Sequence, residues 1–499
     1  MTQSAPSTTR KFDPRWLPLV VTTIGSFMSI LDSNVVNIAL PSILHDFNTS
    51  LSSGQLVIAS YVMALAVVVP LCGFLAERIG KKRLYIFTLI CFISGSALCG
   101  LAWNIETLVL FRVLQGLGGG ILQPLSMALV FTMITPLERP KFIALLGIPV
   151  LIAPIFGPSI GGYITEYLSW RWVFYMNVPV GLVNILMAIW LLKETQAHTE
   201  TRMDFRGFIL AALAFPSILL GLSQGSELGW TSPAVLLLLI GGGAFLTAFI
   251  WVELNHADPM LRLHLLAIPM FRRSLAIQLI AQFSLFGLNF ILPLFLQRAH
   301  GMGAAEAGKV LLPMGIVAFV TMNLAGRLYY KIGPKPLVLS GLAMLALTTL
   351  VWAETTSGTP TWMLMLLACG RGLALGLATQ IVQVVAFNSI PEGEMTRATS
   401  LVNVCQRINQ AFASAVLTTV LIVALAAAGA PAGTSISSGD APLPDMMTAF
   451  RAAFLLMTVM SLVGLGLALS LRDRVLEAHT RRTAEEGADE KIASTVMQE

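Results

Sequence analysis

Long apolar runs, separated by short polar segments, fill most of the sequence. A helix needs about 20 predominantly apolar residues to cross the hydrocarbon core of a bilayer. Fourteen apolar runs can be delimited, and the shortest of them, 206–223, contains Pro216. The runs lie at 16–40, 55–76, 84–103, 107–134, 141–164, 172–193, 206–223, 233–254, 273–297, 307–330, 336–354, 361–388, 400–428 and 446–471. The pattern predicts an all-α integral membrane protein with 14 transmembrane helices.

The composition agrees with this fold class and excludes several others. Charged residues make up 11% of the chain and hydrophobic residues 56%, whereas soluble domains carry about 25% charged residues. So few charges cannot cover the surface of a soluble chain of 499 residues, which excludes a soluble enzyme, a disordered protein and a disulfide scaffold. A net charge of +5 would suggest a nucleic-acid partner in a soluble protein. In a membrane protein, the question is instead where the charged residues sit relative to the bilayer. We therefore expect no nucleic-acid partner.

The residue types that usually carry catalysis or hold metals are scattered along the chain. The five cysteines all lie inside apolar runs without a CxxC pair, and the six histidines fall between or beyond the runs. HExxH, P-loop and Rossmann motifs are absent from the sequence. A membrane-embedded enzyme would need a buried nucleophile with a base, and a channel would need a selectivity filter or a ring of like charges. We therefore expect no enzyme activity, no metal and no cofactor.

The basic residues predict the orientation of the chain. If the N-terminus is cytoplasmic, 24 of the 31 Lys and Arg residues fall in cytoplasmic segments. This bias follows the positive-inside rule and requires an even number of spans, with both termini in the cytoplasm. The first segment, Met1 to Pro14, lacks a cleavable signal pattern, so the first run should remain as a membrane span.

An internal repeat divides the chain. The segments 73–82 and 326–335 share a Gly-x6-Gly spacing and an Ile-Gly pair, and each follows an apolar run at a corresponding position. Parallel halves related by an axis along the membrane normal are an architecture of secondary transporters, with the substrate site between the halves. We expect an N-terminal six-helix half at 1–195, a linker with an inserted helix pair at 196–260, a C-terminal six-helix half at 261–473 and a cytoplasmic tail at 474–499.

Five stretches give the sequence a specific resemblance. They are Leu31–Pro41, Gly73–Arg83, Arg112–Gly118, Gly157–Gly162 and Trp170–Pro179. These stretches resemble the first-helix, loop, fourth-helix, fifth-helix and sixth-helix motifs of the fourteen-helix drug:proton antiporters of the major facilitator superfamily. The resemblance implies the major facilitator fold, two six-helix halves plus two inserted linker helices, in a bacterial inner membrane.

Asp32 is the one carboxylate that we place deep within an apolar run. An unpaired charge at the bilayer centre costs roughly 2.5–3.5 kcal/mol on insertion scales. From the rise of a helix, Asp32 and Arg112 lie at compatible depths, and in the superfamily fold the first and fourth helices both line the central cavity. We hypothesise that Asp32 exchanges a proton for substrate and that Arg112 modulates its charge. The alternative is a static ion pair that holds two helices together.

Polar side chains form stripes on several of the expected helices. Their spacing of three or four residues places each stripe on one side of its helix, facing a cavity or a neighbouring helix. The candidate cavity residues are Asn37, Gln115, Gln123, Gln278, Gln282, Phe286, Asn289, Gln380 and Gln383. Such a mixture of amide, aromatic and aliphatic groups suits amphipathic ligands, whereas packing between helices is the alternative. For Arg371 and Arg407, gating and structural roles are equally plausible.

Two segments are candidates for conformational roles. In the loop motif, Glu77 has a choice of partners, either Arg78 or Arg83 or the N-terminus of a helix. The resemblance implies that this loop stabilises the outward-open state, whereas an ordinary positive-inside anchor is the alternative. In the fifth run, Gly157 and Gly161 permit close helix approach, and Pro158 weakens the backbone hydrogen bonds, which predicts a packing hinge. The conformational candidates are Gly73, Glu77, Arg78, Gly80, Arg83, Gly157, Pro158 and Gly161.

The sequence as a whole predicts a secondary active transporter. We expect a monomeric antiporter that exports amphipathic, often cationic drugs by alternating access, driven by inward proton flow. Its partners are small amphipathic substrates, protons and the lipid bilayer. The alternatives are the export of an endogenous metabolite, natural product or lipid, and proton symport.

Overall fold

The computed structural model describes residues 16–49, 51–131, 134, 135, 138, 139, 142, 148–194, 204–256, 258–429 and 442–471. Within these ranges the chain is helical and contains no strand, which confirms the all-α prediction. The first eight helices are α1 (Trp16–Asp46), α2 (Leu51–Val68), α3 (Leu71–Ile79), α4 (Lys81–Gly100), α5 (Ile105–Phe131), α6 (Ile148–Tyr167), α7 (Arg171–Tyr175) and α8 (Asn177–Leu191). The others are α9 (Phe205–Leu228), α10 (Pro233–Asn255), α11 (Pro269–Arg298), α12 (Ala304–Ile332), α13 (Pro334–Ala353), α14 (Thr361–Asn388), α15 (Met395–Ala427) and α16 (Leu443–Ala468).

Each of the fourteen apolar runs overlaps a helix, but the count of fourteen spans is not confirmed. In the described part of the chain, eleven helices are long and apolar enough to cross a membrane, or twelve if a bent pair forms one span. That pair is α2 and α3, which meet at an angle of 58°. Pro70 lies between them, and it has no backbone N–H to continue the helical hydrogen bonds. By contrast, α9 continues through Pro216.

The helices pack in two groups with the same internal order of contacts. In the N-terminal group, α1 contacts α5, α6 and α8, and α4 packs against α5. In the C-terminal group, α11 contacts α14, α15 and α16, and α13 packs against α14. Gly80 and Gly333 end the two copies of the Gly-x6-Gly repeat, and both have positive φ, 92° and 79°. The boundaries at residues 195, 260 and 473 stay predictions, and the tail 474–499 lies outside the described residues.

One end of the bundle carries most of the exposed basic residues of the loops, among them Arg78, Arg83 and Lys335. We call it the basic end. It holds the junctions between α3 and α4 and between α12 and α13. The termini 1–15 and 472–499 lie outside the described residues, so the cytoplasmic orientation of this end stays a prediction.

The inserted helix pair connects the two groups. Helix α9 packs along α10 and contacts both α2 of the N-terminal group and α15 of the C-terminal group. Helix α10 leaves most of its surface exposed, including Leu237, Ile240 and Trp251. A large apolar surface of this kind fits lipid better than water. The pair therefore forms an outer layer whose inner helix touches both groups.

Glycines bring α4 and α5 into close contact. A methyl group on Gly95 would lie 2.6 Å from Cα of Gln115, and one on Gly118 would lie 2.5 Å from the backbone nitrogen of Phe92. Only residues without a Cβ allow the two backbones to approach this closely. The register of α5 against α4 is fixed by this contact, which positions the polar residues of α5 described below.

We predict that Gly95→Ala destabilises the protein by about 1–3 kcal/mol, because the new methyl group would overlap the backbone of α5 and force it away. Gly162→Ala is the matched control, since a methyl group there has no heavy atom within 4 Å. Thermal unfolding of both variants in detergent measures the difference. Equal stability of the two variants would contradict the close contact.

Candidate functional site

The centre of the N-terminal group contains a buried ion pair between α1 and α5. Nη1 of Arg112 lies 2.6 Å from Oδ2 of Asp32, and the two side chains are 1% and 0% exposed. The other carboxylate oxygen, Oδ1, accepts hydrogen bonds from Nε2 of Gln115 and Nδ2 of Asn177, each at 2.9 Å. One charged and two neutral donors therefore satisfy Asp32, which offsets the cost of burying a carboxylate.

Arg112 has further partners besides Asp32. Nη1 also donates to Oε1 of Gln115 at 2.8 Å, and Nε donates to the carbonyl of Val57 at 3.3 Å. The guanidinium carbon lies 4.0 Å from the centroid of the Tyr61 ring, close enough for a cation–π contact. Arg112 would thus keep three favourable contacts if Asp32 lost its charge.

Asn177 completes the network, and sequence reasoning missed it. Its Nδ2 donates to Asp32 and also to Oγ of Ser96, at 3.1 Å. Ser96 in turn donates to the carbonyl of Phe174 at 2.8 Å, so α1, α4 and α8 meet at one point. The available signal was a lone amide inside the motif stretch Trp170–Pro179.

The structure brings only part of the predicted N-terminal stripe to Asp32. Gln115 belongs to the network, whereas Gln123 is half-buried two turns further along α5. Asn37 is exposed, and its Nδ2 donates to the carbonyl of Ser33 one turn back. The side chain of Asn37 therefore binds the backbone of its own helix and does not take part in the network around Asp32.

The predicted cavity residues of the C-terminal group lie on α11 and α14. Gln278 is buried and Gln282 is half-buried, and Oε1 of each has no hydrogen-bond partner in the described structure. The side chains of Phe286 and Asn289 lie outside the described residues. Gln380 is half-buried, and Gln383 is buried with Nε2 at 3.6 Å from the sulfur of Met127 on α5. Gln383 therefore contacts the opposite group.

Arg371 on α14 is a second buried arginine, and its surroundings differ from those of Arg112 on α5. It is fully buried, and Nη2 donates to the carbonyls of Ser284 and Leu285 on α11 at 3.0 and 3.2 Å. Among the described residues, Nε and Nη1 have no partner. Arg371 thus binds the backbone of α11, whereas Arg112 binds a carboxylate. Arg407 is half-buried on α15.

At the basic end, Glu77 pairs with Arg397 across the two groups. Nε of Arg397 donates to Oε1 of Glu77 at 2.7 Å, and a second contact joins Nη2 to Oε2. The expected partners on the loop itself were wrong, since the partner of Glu77 is Arg397 in the first turn of α15. Arg83 pairs with Glu194 at 3.4 Å, and Arg78 lies 5.9 Å from the ring of Phe74.

Further contacts close the basic end between the groups. A methyl group on Gly73 would lie 2.8 Å from Cγ of Arg397, so α3 approaches α15 closely. Nη1 of Arg139 donates to the carbonyl of Phe387 at 2.7 Å, and the rings of Phe131 and Phe387 lie 5.0 Å apart. These contacts join residues of the loop motif and of α5 to α14 and α15. The two groups are therefore held together at this end.

Helix α6 packs directly beside the ion pair. A methyl group on Gly157 would lie 3.0 Å from Cβ of Asn34, and one on Gly161 would lie 2.8 Å from Cγ1 of Val35. Both contacts are with α1, within three residues of Asp32. The small residues thus allow close packing against the helix that carries Asp32. The side chain of Pro158 lies outside the described residues, and hinge motion stays a prediction.

We predict that Arg112→Ala lowers stability by about 3–5 kcal/mol, because it leaves a buried carboxylate without its charged partner. Adding Asp32→Asn in the same chain should recover most of the loss, since a neutral amide needs no counter-charge. Thermal unfolding of the four chains of this double-mutant cycle measures the coupling. Additive effects of the two substitutions would contradict the ion pair.

We predict that Glu77→Gln opens the basic end more often, because it removes the charge from a contact of about 1.5–3 kcal/mol. Spin labels at Ile79 and Ile332, both exposed, report the separation of α3 and α12 after the five native cysteines are replaced. The distance distribution should shift to longer values in Glu77→Gln. Arg83→Gln is the control, because its partner Glu194 lies in the same group. An unchanged distribution in Glu77→Gln would show that the pair does not hold this end.

Comparisons with known proteins agree with this architecture. Residues 22–414 match the Major Facilitator Superfamily. The chain is 33% identical to the multidrug transporter protein MdtP of Bacillus subtilis (strain 168) over 382 residues, 75% of this chain and 70% of that one. It is 30% identical to the multidrug export protein EmrB of Escherichia coli (strain K12) over 408 residues, 80% of this chain and 79% of that one.

A solved structure shows the same fold. The proton:xylose symporter XylE superposes with a TM-score of 0.64 at 14% identity, covering 93% of this chain and 98% of that one. At this identity the likeness concerns the fold alone. Together with the family match over most of the chain, these findings show that the protein is a multi-pass membrane transporter of the major facilitator superfamily.

Proposed function

We propose that the protein is a proton-coupled antiporter that exports amphipathic, often cationic compounds by alternating access. The observation that carries this proposal is the buried Asp32 carboxylate, held by donors from α5 and α8 in the centre of the N-terminal group. A buried ionisable residue in a membrane bundle is expensive and marks a proton or substrate pathway more often than a structural pair.

The contacts of Arg112 allow Asp32 to change charge. When Asp32 is protonated, the attraction between the carboxylate and the guanidinium disappears. Arg112 then still has Oε1 of Gln115, the Val57 carbonyl and the Tyr61 ring as partners. Protonation therefore loosens α1 from α5 without leaving a bare cation in the core. This is the property that a carrier needs in a group that binds and releases protons during each cycle.

The closed basic end supports alternating access. Glu77 and Arg139 bind the C-terminal group at Arg397 and Phe387, so this conformation is sealed at the end that the positive-inside rule places in the cytoplasm. Opening requires that the Glu77–Arg397 pair breaks. In alternating access, a carrier closes first at one end and then at the other, so one central site faces each side of the membrane in turn.

The substrate class is inferred from the relatives and from the candidate cavity residues. MdtP and EmrB are named as multidrug transport and export proteins. Gln278, Gln282 and Gln380 add amides between apolar residues of α11 and α14. Unpartnered amide oxygens attract cationic or hydrogen-bonding groups without imposing one geometry. Both relatives named here are bacterial, and we propose the inner membrane as the location and a monomer as the working unit.

The proton gradient provides enough free energy for this function. One proton that moves through 100 mV releases about 2.3 kcal/mol. Each 1.4 kcal/mol corresponds to about a tenfold ratio of concentrations. One proton per cycle therefore sustains a gradient of roughly 50-fold for a neutral solute.

We predict that Asp32→Asn abolishes transport driven by a pH gradient and retains exchange without one, because the amide binds Arg112 and Asn177 but takes up no proton. The assay measures the flux of cationic and neutral amphipathic dyes in proteoliposomes at controlled pH on both sides. At least tenfold loss of gradient-driven flux is the expected result.

Glu306→Gln is the control for this experiment, since Glu306 is an exposed carboxylate in the first turn of α12. It should transport at the wild-type rate. Undiminished gradient-driven transport by a stably expressed Asp32→Asn protein would refute the coupling role. Dye flux in the same direction as the protons would favour the symport alternative.

A further inference from the structure

Two buried carboxyl groups lie side by side in the inserted helix pair, at the basic end. Asp204 is the N-cap of α9, and Glu253 lies in the last turn of α10. Their exposed fractions are 2% and 3%. A methyl group built on Gly207 would lie 2.3 Å from Oδ2 of Asp204 and 3.1 Å from Oε1 of Glu253. These two oxygens therefore border the same small space.

Each carboxyl group has one oxygen with a donor and one without. Oδ1 of Asp204 accepts from the Gly207 amide at 2.8 Å, and Oε2 of Glu253 accepts from the Leu261 amide at 3.1 Å. The oxygens that border the shared space, Oδ2 and Oε1, have no hydrogen-bond partner in the part of the chain that the structure describes. An ionised carboxylate only accepts hydrogen bonds, so neither group can satisfy the other while both are charged.

A single proton resolves this conflict. Two carboxylates at short range do not both ionise, and one proton between them converts two unpaired acceptors into a donor and an acceptor. Ca²⁺ and Mg²⁺ need about six or more oxygen ligands, whereas this space offers two. The described residues also contain no group of three His, Cys, Asp or Glu side chains suited to a metal. We propose that Asp204 and Glu253 share one proton, which makes the inserted helix pair a second proton-binding site.

The carboxyl pair is connected to the contact that closes the basic end. Leu261, which donates to Glu253, belongs to the segment that follows α10. In the same segment, the carbonyl of Pro259 accepts from Nη1 of Arg397 at 3.1 Å. Arg397 is the partner of Glu77. Glu253 and Arg397 therefore bind the same short stretch of backbone. A change in the charge of the carboxyl pair and the opening of the basic end both alter the contacts of this stretch.

The charges around the pair give the direction of this connection. The titratable groups of the surrounding elements include Arg206 on α9, His256 and Asp258 after α10, Glu77 and Arg78 on α3, and Arg397 on α15. Arg262 of the same segment pairs with Glu394. Asp204 borders the same space as Glu253, and Arg397 binds the Pro259 carbonyl in the segment that Glu253 also binds. While the basic end is closed, Glu77 neutralises Arg397. When it opens, the bare guanidinium favours ionised Glu253, so the shared proton leaves as the end opens.

This direction suits the proposed antiport, on which the role in transport rests. In that cycle protons must be released at the basic end when it opens. The binding of the proton does not depend on the proposed function, because it follows from the two unpartnered oxygens. The two claims can therefore fail separately.

Infrared difference spectroscopy during pH titration tests the site. The experiment uses the full-length protein with Asp32→Asn, so that Asp32 contributes no carboxyl signal. We expect the carbonyl band of a neutral carboxyl group at neutral pH, and we expect Asp204→Asn and Glu253→Gln each to remove it. Glu306→Gln is the matched control and should retain the band. The amide of Glu253→Gln can donate to Oδ2 of Asp204, so this variant should fold even if Asp204→Asn does not.

The same band in all of these proteins would overturn the proposal. A band that Ca²⁺ or Mg²⁺ removes and a chelator restores would also overturn it, in favour of a metal site. The link to opening is measured with the spin labels at Ile79 and Ile332. The distance distribution should depend on pH in the Asp32→Asn background and lose that dependence in Glu253→Gln. Equal pH dependence in both proteins would refute the link.

Discussion

The arrangement of the N-terminal group depends on the burial of one carboxylate. Asp32 lies among apolar helices where a bare charge would be costly, so donors must reach it from other helices. Arg112 and Gln115 come from α5, and Asn177 comes from α8. These contacts require α1, α5 and α8 to be close in one register. The glycines that bring α4 against α5 and α6 against α1 serve this same requirement.

Much of the fold could be predicted from hydropathy, since each apolar run overlaps a helix. The break at Pro70 was missed, because hydropathy measures the apolar character of a run and not the continuity of its backbone. The depth of Asp32 and Arg112 could be inferred from the helix rise, which places both at a similar level. The contact of Asn177 with Asp32 could not be inferred, since one amide near the start of an apolar run resembles an ordinary interfacial residue.

The contacts at the basic end lay beyond sequence reasoning for a different reason. Glu77 and Arg397 are 320 residues apart, and their pairing depends on how the two groups of helices dock. Local reasoning left Arg78, Arg83 and a helix N-terminus open as partners of Glu77, and it could not name a side chain of the other group. The two groups also bury their arginines differently. Arg112 binds the carboxylate of Asp32, whereas Arg371 binds the backbone carbonyls of Ser284 and Leu285.

A carrier must connect the charge at its centre to the contacts at its ends. Asp32 lies 16 residues from the start of α1, roughly 24 Å along the helix axis. Between Asp32 and a unit charge at the start of α1, an effective dielectric constant of about 20 leaves an interaction of only about 0.7 kcal/mol. Asp32 therefore acts on the Glu77–Arg397 contact mainly through the packing of α1 against α5. A carboxyl pair joined to Arg397 through the 258–262 segment acts at short range, which gives the inserted helices a physical reason to touch both groups.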